Sequence, residues 1–319
     1  MGPATFILQQ TLFSATPLLV AGFGELLGQR AGLINVSIEG TMLMGAIAGF
    51  ATVVLTGSAM AAIPVAIGVG ILMGALFAIA SVWFRADQIV AGTALNILAA
   101  GMSISGFRLL QMALRAHPSA PDSSAQHFFN PLSAHFLDGI PLIGPPLSEI
   151  LSQYTLFYAA LVLAILLYFI MTRTRLGLII RSLGDAPDAC DAAGIRVRWA
   201  RTLLMLISGG LSGIAGAYLS TMRNHDFVSN MTAGRGFLVL ALVIFGRWNV
   251  VGFTLGVLAF SAIDGFQSFF TSTTAGQQLL APQYRHLFDM LPYAATLIAL
   301  ALLTRSRSGP IHLGRPWPE

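Results

Sequence analysis

Apolar runs alternate with short polar connections along almost the whole chain. Most runs are about twenty residues long, the length that an α-helix needs to cross about 30 Å of hydrocarbon. The pattern therefore predicts an all-α polytopic membrane protein with about eight to nine transmembrane helices. The predicted runs are about Thr5–Phe23, Leu33–Leu55, Ala61–Phe84, Gln88–Met112, Tyr154–Met171, Thr202–Thr221, Gly236–Gly246, Val250–Phe270 and His286–Thr304.

Two of these runs depart from a simple span. Pro17 lies inside the first run, where its missing N–H predicts an interruption, and a short polar turn is predicted next, over residues 24–32. Gly236–Gly246 is too short to cross the hydrocarbon as a straight helix. It is either part of a broken span or a re-entrant half-helix, because free backbone groups at that depth need cover from protein or from a water-filled path.

Composition supports the same class. The mean hydropathy is +0.77, and 55% of the residues are hydrophobic while only 9% are charged. We expect one transmembrane domain over 1–319, with no separate soluble domain. The single cysteine, Cys190, excludes an internal disulfide. The N-terminus lacks a basic region, so we expect no cleaved signal peptide.

The arginines predict an orientation. All seventeen basic residues are arginine, and twelve fall on one side if segment 173–201 is cytoplasmic and the spans alternate outward from it. This is the positive-inside bias. It puts the N-terminus outside, the C-terminus in the cytoplasm and 113–153 outside as an extracytoplasmic loop. It also requires Gly236–Gly246 to reach the cytoplasmic face.

Segment 173–201 is the most arginine-dense stretch between two apolar runs. In a chain this apolar, such a segment is typical of a surface offered to a soluble partner. The alternative is a loop that only joins two spans and fixes their orientation. Its basic residues are Arg173, Arg175, Arg181, Arg196, Arg198 and Arg201.

Motifs for catalysis, metal and nucleotide are missing from the sequence. A phosphate-binding G-x-x-x-x-G-K-[ST] loop cannot form without lysine. The six histidines lack metal-ligand spacing, and no G-x-S-x-G elbow occurs. The net charge of +4 follows from topology, so we predict no nucleic-acid binding. We expect no cofactor, metal or catalytic residue in this chain. An intramembrane enzyme stays open as an alternative, with turnover that depends on Glu39 or Asp264.

Several polar side chains fall inside predicted spans, where they are costly unless they face protein or water. Those at helical spacing, such as Asn35 and Glu39, are expected to share a helical face and to form polar stripes. Such stripes favour a neutral, hydrogen-bonding solute, and the alternative is hydrogen bonding between packed helices. Packing is what we expect for Ser208, Ser212 and the nearby Gly209, Gly213 and Gly216. The residues predicted to line a translocation path are Asn35, Glu39, Thr93, Asn96 and Asp264, with Ser103 and Ser261 extending two of the stripes.

Four separated segments resemble, in order, the permease subunits of ATP-binding-cassette (ABC) importers: GQRAGLINVSIEGTMLMGA, QIVAGTALNILA, TRLGLIIRSLGDAPDACDAAGI and GRGFLVLALVIFGRWNVVG. The nearest branch carries nucleosides and simple sugars, within a wider family of ribose and branched-chain amino-acid permeases. The resemblance runs from about Leu8 to Leu313 and implies a type II-like importer permease architecture. Gln29 departs from the glutamate usual in that branch, and Asp185-Ala186-Pro187 from its Glu-Asn-Pro.

The resemblance implies a role for segment 173–201, because the matching cytoplasmic loop of such permeases forms short helices that dock in a cleft of the ATPase subunit. The local residues fit: Pro187 can start a short helix with Asp185 as its cap, and Gly194 can end it. Closure of the ATPase would then move the segment mechanically. The implied ATPase-coupling residues are Arg181, Gly184, Asp185, Pro187, Ala189, Ala192, Gly194 and Ile195.

The resulting hypothesis is a permease subunit of an ABC importer for nucleosides or related nucleobase compounds in the bacterial inner membrane. The implied partners are an ATPase subunit that uses ATP and magnesium, a second permease chain in a heterodimer, an extracytoplasmic solute-binding lipoprotein and membrane lipid. A simple-sugar or riboflavin-like ABC permease is the alternative within the class. An ATP-independent secondary transporter or channel is the alternative from another class.

Overall fold

The computed structural model describes residues 3–116, 152–273, 290, 294, 309–315 and 317. Over these residues the chain is helical and contains no strand. Two helices end in a π-helical turn, at Ile79–Trp83 and Leu219–Arg223. The helices are α1 (Pro3–Arg30), α2 (Ile38–Thr56), α3 (Ala59–Ala78), α4 (Gln88–Ala116), α5 (Thr155–Arg173), α6 (Arg175–Asp185), α7 (Pro187–Ala192), α8 (Val197–Tyr218), α9 (Arg235–Phe245) and α10 (Val250–Ser272).

The predicted spans match these helices closely. Seven helices of the described residues are long and apolar enough to cross a membrane, and α9 is a shorter apolar helix. Of the predicted last span, His286–Thr304, only residues 290 and 294 are described, and most of the predicted loop 113–153 lies outside the described residues. The all-helical membrane architecture is thus confirmed, and the total of eight to nine spans stays a prediction.

The predicted interruption at Pro17 is wrong, because α1 continues through this residue. Proline removes the hydrogen bond that would reach the carbonyl four residues earlier, which belongs to Phe13. That carbonyl instead accepts a hydrogen bond from the Tyr218 hydroxyl at 3.2 Å. A partner on α8 therefore satisfies the group that the proline leaves free.

The predicted polar turn over 24–32 is also wrong for most of its length. Helix α1 runs on to Arg30, and its polar side chains bond to each other, with Gln29 Nε2 donating to Glu25 Oε1 at 2.9 Å. Helix α2 begins only at Ile38. Asn35 therefore lies in the connection before α2, and it does not share a helical face with Glu39 as predicted.

Helix α8 is packed against α1, α2 and α3 through its glycines. A Cβ placed on Gly209 would lie 2.2 Å from the carbonyl oxygen of Gly70 in α3, and one on Gly213 would lie 2.2 Å from that of Ala66. Small residues permit such close backbone approach in membranes, where lipid removes the usual hydrophobic drive for packing. The packing predicted for these glycines is confirmed.

Segment 224–249 follows α8. Its residues 224–234 are irregular, and Phe227 packs on the rings of Phe50 and Phe107 at centroid distances of 6.5 and 5.1 Å. The Thr232 hydroxyl then donates a hydrogen bond to Glu39, in the first turn of α2, and the chain continues as α9. After α9, the carbonyl of Trp248 accepts a hydrogen bond from Arg30. Segment 224–249 thus runs from the end of α8 to the end of α1, as the predicted orientation requires.

Candidate functional site

Segment 173–201 forms two short helices at the end of the bundle where α1 ends and α8 begins. We call this the coupling end. Helix α6 follows α5 after a tight turn at Thr174, whose hydroxyl accepts from the Gly177 N–H at 3.3 Å. A Cβ on Gly177 would lie 2.2 Å from the Ile170 carbonyl oxygen, so the turn needs a residue without a side chain. The turn sets the direction in which α6 leaves α5.

Helix α7 has the start and the stop that its sequence predicts. Pro187 occupies its first turn, where a missing N–H costs nothing. At its end, the Ile195 N–H donates to the Cys190 carbonyl at 2.9 Å and the Gly194 N–H donates to that of Asp191 at 2.8 Å. With Gly194 at a φ of +81°, this is a Schellman ending that favours glycine.

The predicted cap of α7 is wrong. Asp185 is the last residue of α6, and the residue before α7 is Ala186, which offers no side-chain cap. The Asp185 carboxylate instead accepts from the backbone N–H of Ile311 at 3.4 Å. Its position is therefore set by the C-terminal residues.

Helix α7 is buried on one face and open on the other. Pro187 and Cys190 point inward, and burial raises the pKa of the Cys190 thiol despite the nearby Arg201 guanidinium. Ala189 and Ala192 are exposed. An outer face of small residues is suited to entering a groove on another protein. Arg181 and Ile195 are half-buried beside it.

The C-terminal residues 309–315, which we call the C-terminal strap, cross the coupling end. The His312 N–H donates to the carbonyl of Gly184 and the Gly314 N–H donates to that of Gly32, each at 2.9 Å. The strap therefore joins α6 to the connection between α1 and α2. Sequence reasoning missed it, because a short polar tail carries no periodic signal.

Gly184 is the point of closest approach between α6 and the bundle. A Cβ placed there would lie 2.2 Å from the Arg30 carbonyl oxygen and 3.0 Å from Pro310 Cβ. Only glycine fits between α1 and the strap. The glycine at this position therefore has a packing reason, whatever its part in coupling.

Arg201 ties the same segments together from α8. Its side chain is only 1% exposed, and it donates to the carbonyls of Leu183 at 2.9 Å and Arg315 at 3.4 Å. A buried arginine is costly unless its donors are used. It was recognised in the sequence only as part of a charged segment, and its burial follows from the strap and α6 closing over it.

Glu39 is bonded to the start of α9 by both carboxylate oxygens. Oε1 accepts from the Thr232 hydroxyl at 2.6 Å and the Gly234 N–H at 2.8 Å, and Oε2 accepts from the Gly236 N–H at 2.6 Å. A carboxylate is favoured at a helix N-terminus by the helix dipole. Glu39 thus caps α9 and occupies the position where a half-helix could bind an anionic solute. Its place in a translocation path stays a prediction.

Asn35 belongs to a buried polar group around the end of α1. Its Oδ1 accepts from the Ser37 hydroxyl at 2.6 Å, and its backbone N–H donates to Glu25 at 3.2 Å. Gln29 extends the group by accepting from Trp248 Nε1 at 2.8 Å. Glu25, which is fully buried, was missed because it falls in the predicted polar turn over 24–32, whereas α1 in fact continues through it.

The three residues predicted to share one polar face of α4 differ in burial and in their hydrogen-bond partners. The Asn96 side chain accepts from the Gly40 N–H at 2.7 Å and donates to the Val36 carbonyl at 2.9 Å, so it holds the start of α2. Ser103 is buried as well. Thr93 is exposed, and its hydroxyl donates within its own helix. The three residues therefore do not form one polar surface in this subunit.

Asp264, on α10, faces the middle of α1. Its carboxylate accepts from the Ser14 hydroxyl, and Ser14 accepts from Arg223 Nη1 at 3.1 Å. Ser261, one turn earlier on α10, is buried. Asn35, Glu39 and Asn96 thus lie around the start of α2, whereas Asp264 and Thr93 bond elsewhere, so the structure does not bring all five predicted path residues together. Among the described residues, no group of three or more His, Cys, Asp or Glu side chains could hold a metal ion.

Comparison with known proteins identifies the family. The family described as branched-chain amino acid transport system, permease component, matches residues 7–301. The chain is 34% identical to the nucleoside ABC transporter permease protein NupC of Lactococcus lactis subsp. cremoris over 95% of this chain and 94% of NupC. It is 29% identical to the guanosine ABC transporter permease protein NupQ of Bacillus subtilis, over 98% and 96% of the two chains.

Sugar permeases are similar too. The glucose ABC transporter permease protein TsgB13 of Haloferax volcanii is 28% identical over 81% of this chain and 68% of its own length. In each of these three organisms a second permease chain also matches, at 24%, 26% and 32% identity. No solved structure matches the chain. The chain therefore belongs to the family of branched-chain amino acid transport system permease components, and it is a multi-pass membrane permease of an ABC transporter.

Proposed function

We propose that this permease carries nucleosides or related nucleobase compounds. The observation that carries the proposal is the similarity to NupC, a nucleoside permease by name, at 34% identity over nearly the full length of both chains. The bonding of Glu39 supports it, because an occupied half-helix N-terminus leaves no dipole free for an anionic solute. A neutral solute that offers hydrogen-bonding groups fits such a pathway.

A simple sugar is the second candidate solute. TsgB13 is named a glucose permease, and TsgC13 of the same organism, also named for glucose, is 32% identical over 84% of this chain, close to the 34% of NupC. Sugars and nucleosides share hydroxyl groups on a ring, so polar residues alone do not separate them. Thr93 is the one predicted path residue with an exposed side chain, and we propose it as a contact with solute or with the second permease chain.

We further propose that the coupling end faces the cytoplasm and docks on a separate ATPase subunit, which binds ATP and magnesium. Arg30 ends α1 on this side, and Arg85 and Arg247 lie in connections there, in agreement with the positive-inside rule. Trp83 and Trp199 pack together there at 5.1 Å, as tryptophans do at the membrane surface. The N-terminus would then lie outside and the C-terminus in the cytoplasm.

The proposed assembly contains a second, different permease chain and an extracytoplasmic solute-binding lipoprotein in the inner membrane of a bacterium. The heterodimer is supported by the paired permeases of the three organisms named above. The proposed coupling contacts are the eight residues predicted from 181 to 195. Of these, Ala189 and Ala192 present the open face of α7.

Uptake by the reconstituted assembly tests the solute. Proteoliposomes that contain both permease chains and the ATPase, with the binding protein outside and ATP inside, should accumulate labelled inosine or uridine and ignore labelled glucose. Accumulation of glucose without nucleoside would assign the chain to the sugar candidate. Transport by this chain alone, without ATP, would identify it as a secondary transporter or channel.

A substitution on α7 tests the coupling role separately. Ala189→Trp adds a large side chain to an exposed position, so the subunit should fold normally while docking is blocked. We expect uptake and co-purification of the ATPase to fall at least about tenfold. Ala189→Ser is the matched control and should leave both unchanged. Normal uptake with tryptophan at this position contradicts docking through α7.

A further inference from the structure

A basic recess opens at the coupling end beside α5. It holds about 380 Å³ of empty space between the end of α5, the end of α1 and the connection from α9 to α10. Arg30 and Arg181 line it together with Thr172, Trp248 and Asn249. Two guanidinium groups therefore face one small space at the level where the membrane helices end.

Both arginines have donors left for a ligand. The Arg30 side chain uses Nε on the Trp248 carbonyl, and that of Arg181 uses Nε on the Gly177 carbonyl at 3.2 Å. Neither guanidinium makes another hydrogen bond to the part of the chain that the structure describes. Asp185 also acts electrostatically on Arg30, so two positive charges share one negative charge and the recess keeps a positive excess.

An apolar groove continues from this recess into the membrane region. It holds about 550 Å³ between α5 and α10, and it shares Tyr168 and Val250 with the basic recess. Ile165, Val251 and Leu255 form its walls and are 70%, 48% and 61% exposed. The positively charged recess is thus continuous with an apolar groove that runs along two transmembrane helices, α5 and α10.

We propose that the recess and the groove together bind one anionic phospholipid of the leaflet at the coupling end. Its phosphate would accept hydrogen bonds from Arg30 and Arg181, and one acyl chain would lie along the groove. Arginine binds phosphate through paired donors, and basic pockets between transmembrane helices suit anionic head groups. Tyr168 and Trp248 lie at the junction, where aromatic side chains favour the interface.

A phospholipid fits both halves of this site. A free phosphate would use the arginines but leave the groove empty, whereas an apolar protein helix would fill the groove but leave the positive excess unmatched. The assignment to the membrane rests on family membership. The assignment to the cytoplasmic leaflet rests on the proposed orientation, and the binding experiment below does not depend on it.

Native mass spectrometry of the purified chain in detergent, with phosphatidylglycerol and phosphatidylcholine added, measures the binding. We expect phosphatidylglycerol to bind more tightly than phosphatidylcholine. Arg181→Gln should lower this preference about fivefold, and the double variant with Arg30→Gln about twenty-five-fold. Arg175→Gln is the control, because Arg175 is exposed on the same helix but does not line the recess.

A separate variant tests whether the apolar groove binds an acyl chain. Leu255→Trp fills the apolar channel without touching either arginine, so it should weaken the binding of both lipids. Arg181→Lys keeps the charge and the fold while removing the paired donors, and it should give an intermediate preference. Gel filtration of each variant shows whether the subunit stays folded.

Three results would overturn the proposal. Equal retention of the two lipids, or no change in Arg181→Gln, would mean that the arginines do not bind a head group. Displacement of the lipid by soluble glycerol phosphate would indicate a free-phosphate site. Disulfide crosslinking of the full assembly from Val251→Cys to the second permease chain, in a Cys190→Ser background, would show that protein covers the groove.

Discussion

The middle of α8 and its N-terminal end are attached to their neighbours in opposite ways. In the middle, glycine backbones touch the backbones of α2 and α3 so closely that no Cβ would fit at Gly209, Gly213 or Gly216. At the end, a single side chain, Arg201, reaches α6 and the C-terminal strap by two hydrogen bonds. The first attachment has one arrangement only, because packed backbones cannot shift gradually.

The difference suggests how movement at the coupling end reaches the bundle. Hydrogen bonds of one side chain can break and re-form, while the glycine contacts hold the rest of the helix in place. If the ATPase docks on the coupling end as proposed, a displacement of α6 and α7 would therefore reach the N-terminal end of α8 through Arg201, while the middle of α8 stays packed on α2 and α3. The following substitutions separate the two attachments.

The largest effect is expected from Gly213→Leu. A Cβ here would lie 2.2 Å from the Ala66 carbonyl oxygen, and backbone cannot move aside as a flexible side chain would. Overpacking of this kind costs about 3 kcal/mol or more. We expect loss of the monodisperse subunit in fluorescence-detected gel filtration and no uptake.

Gly68→Leu is the matched control for this substitution. Gly68 lies on α3, the helix that α8 packs against, but a Cβ there meets nothing within 4 Å. The variant should elute like the wild type. If Gly213→Leu does so as well, the middle of α8 is not the fixed part of the bundle.

Arg201→Met should have the next largest effect. Methionine keeps the volume, but it leaves the buried carbonyl of Leu183 without a donor, at a cost of about 1–3 kcal/mol, and it removes the longer bond to Arg315. We expect the subunit to assemble with a lower melting temperature, and uptake to fall more than ATP hydrolysis because the link to α8 is lost.

Arg201→Lys separates charge from geometry. Lysine keeps the positive charge, but it cannot reach two carbonyls with a planar fork. It should restore part of the stability and little of the coupling. Wild-type uptake per ATP hydrolysed in Arg201→Met would show that the coupling end moves α8 by another route.

Glu39→Gln extends the comparison to α9, which is held by a charged side chain rather than by glycine contacts. The amide would turn an N–H donor toward a backbone N–H of the α9 start, so at least one of three hydrogen bonds is lost. We expect a loss of about 2 kcal/mol. A thermal shift assay in detergent measures it, with Glu39→Asp as a variant that keeps the charge. An unchanged melting temperature in Glu39→Gln contradicts the capping role.

Sequence periodicity was enough to predict the helices, since a transmembrane helix must satisfy its backbone within one segment. It was also enough for the start and stop of α7, because proline and glycine act locally. It failed where a distant residue supplies the partner. The Tyr218 hydroxyl donates to the carbonyl that Pro17 leaves free. The Asp185 carboxylate, which was expected to cap α7, accepts a hydrogen bond from the Ile311 N–H instead.

The five predicted path residues do not all meet, for the same reason. Asn96 and Glu39 were recognised correctly as polar groups inside spans, but their partners are backbone groups of Gly40 and Gly236, which carry no sequence signal. The strap was missed because its bonds are made by its own backbone. Contacts of this kind depend on the fold and cannot be derived from the residue types.

The smallest effect concerns Cys190, which reports on the coupling end without disturbing it. The thiol is 3% exposed, and burial raises its pKa, so the reactive thiolate is scarce at neutral pH. Ala189→Cys in a Cys190→Ser background places a thiol on the exposed face of the same helix. We expect maleimide to label Cys190 at least about tenfold more slowly than this neighbour at pH 7.

The pH dependence of the maleimide labelling rate provides a second test of the burial of Cys190. Because the pKa of Cys190 is raised, its labelling should continue to increase at pH values where that of the exposed thiol at position 189 has already levelled off. Equal rates and equal profiles would mean that α7 leaves the bundle readily. The coupling end would then be held more loosely than its hydrogen bonds indicate, and the contrast with the glycine contacts of α8 would be larger still.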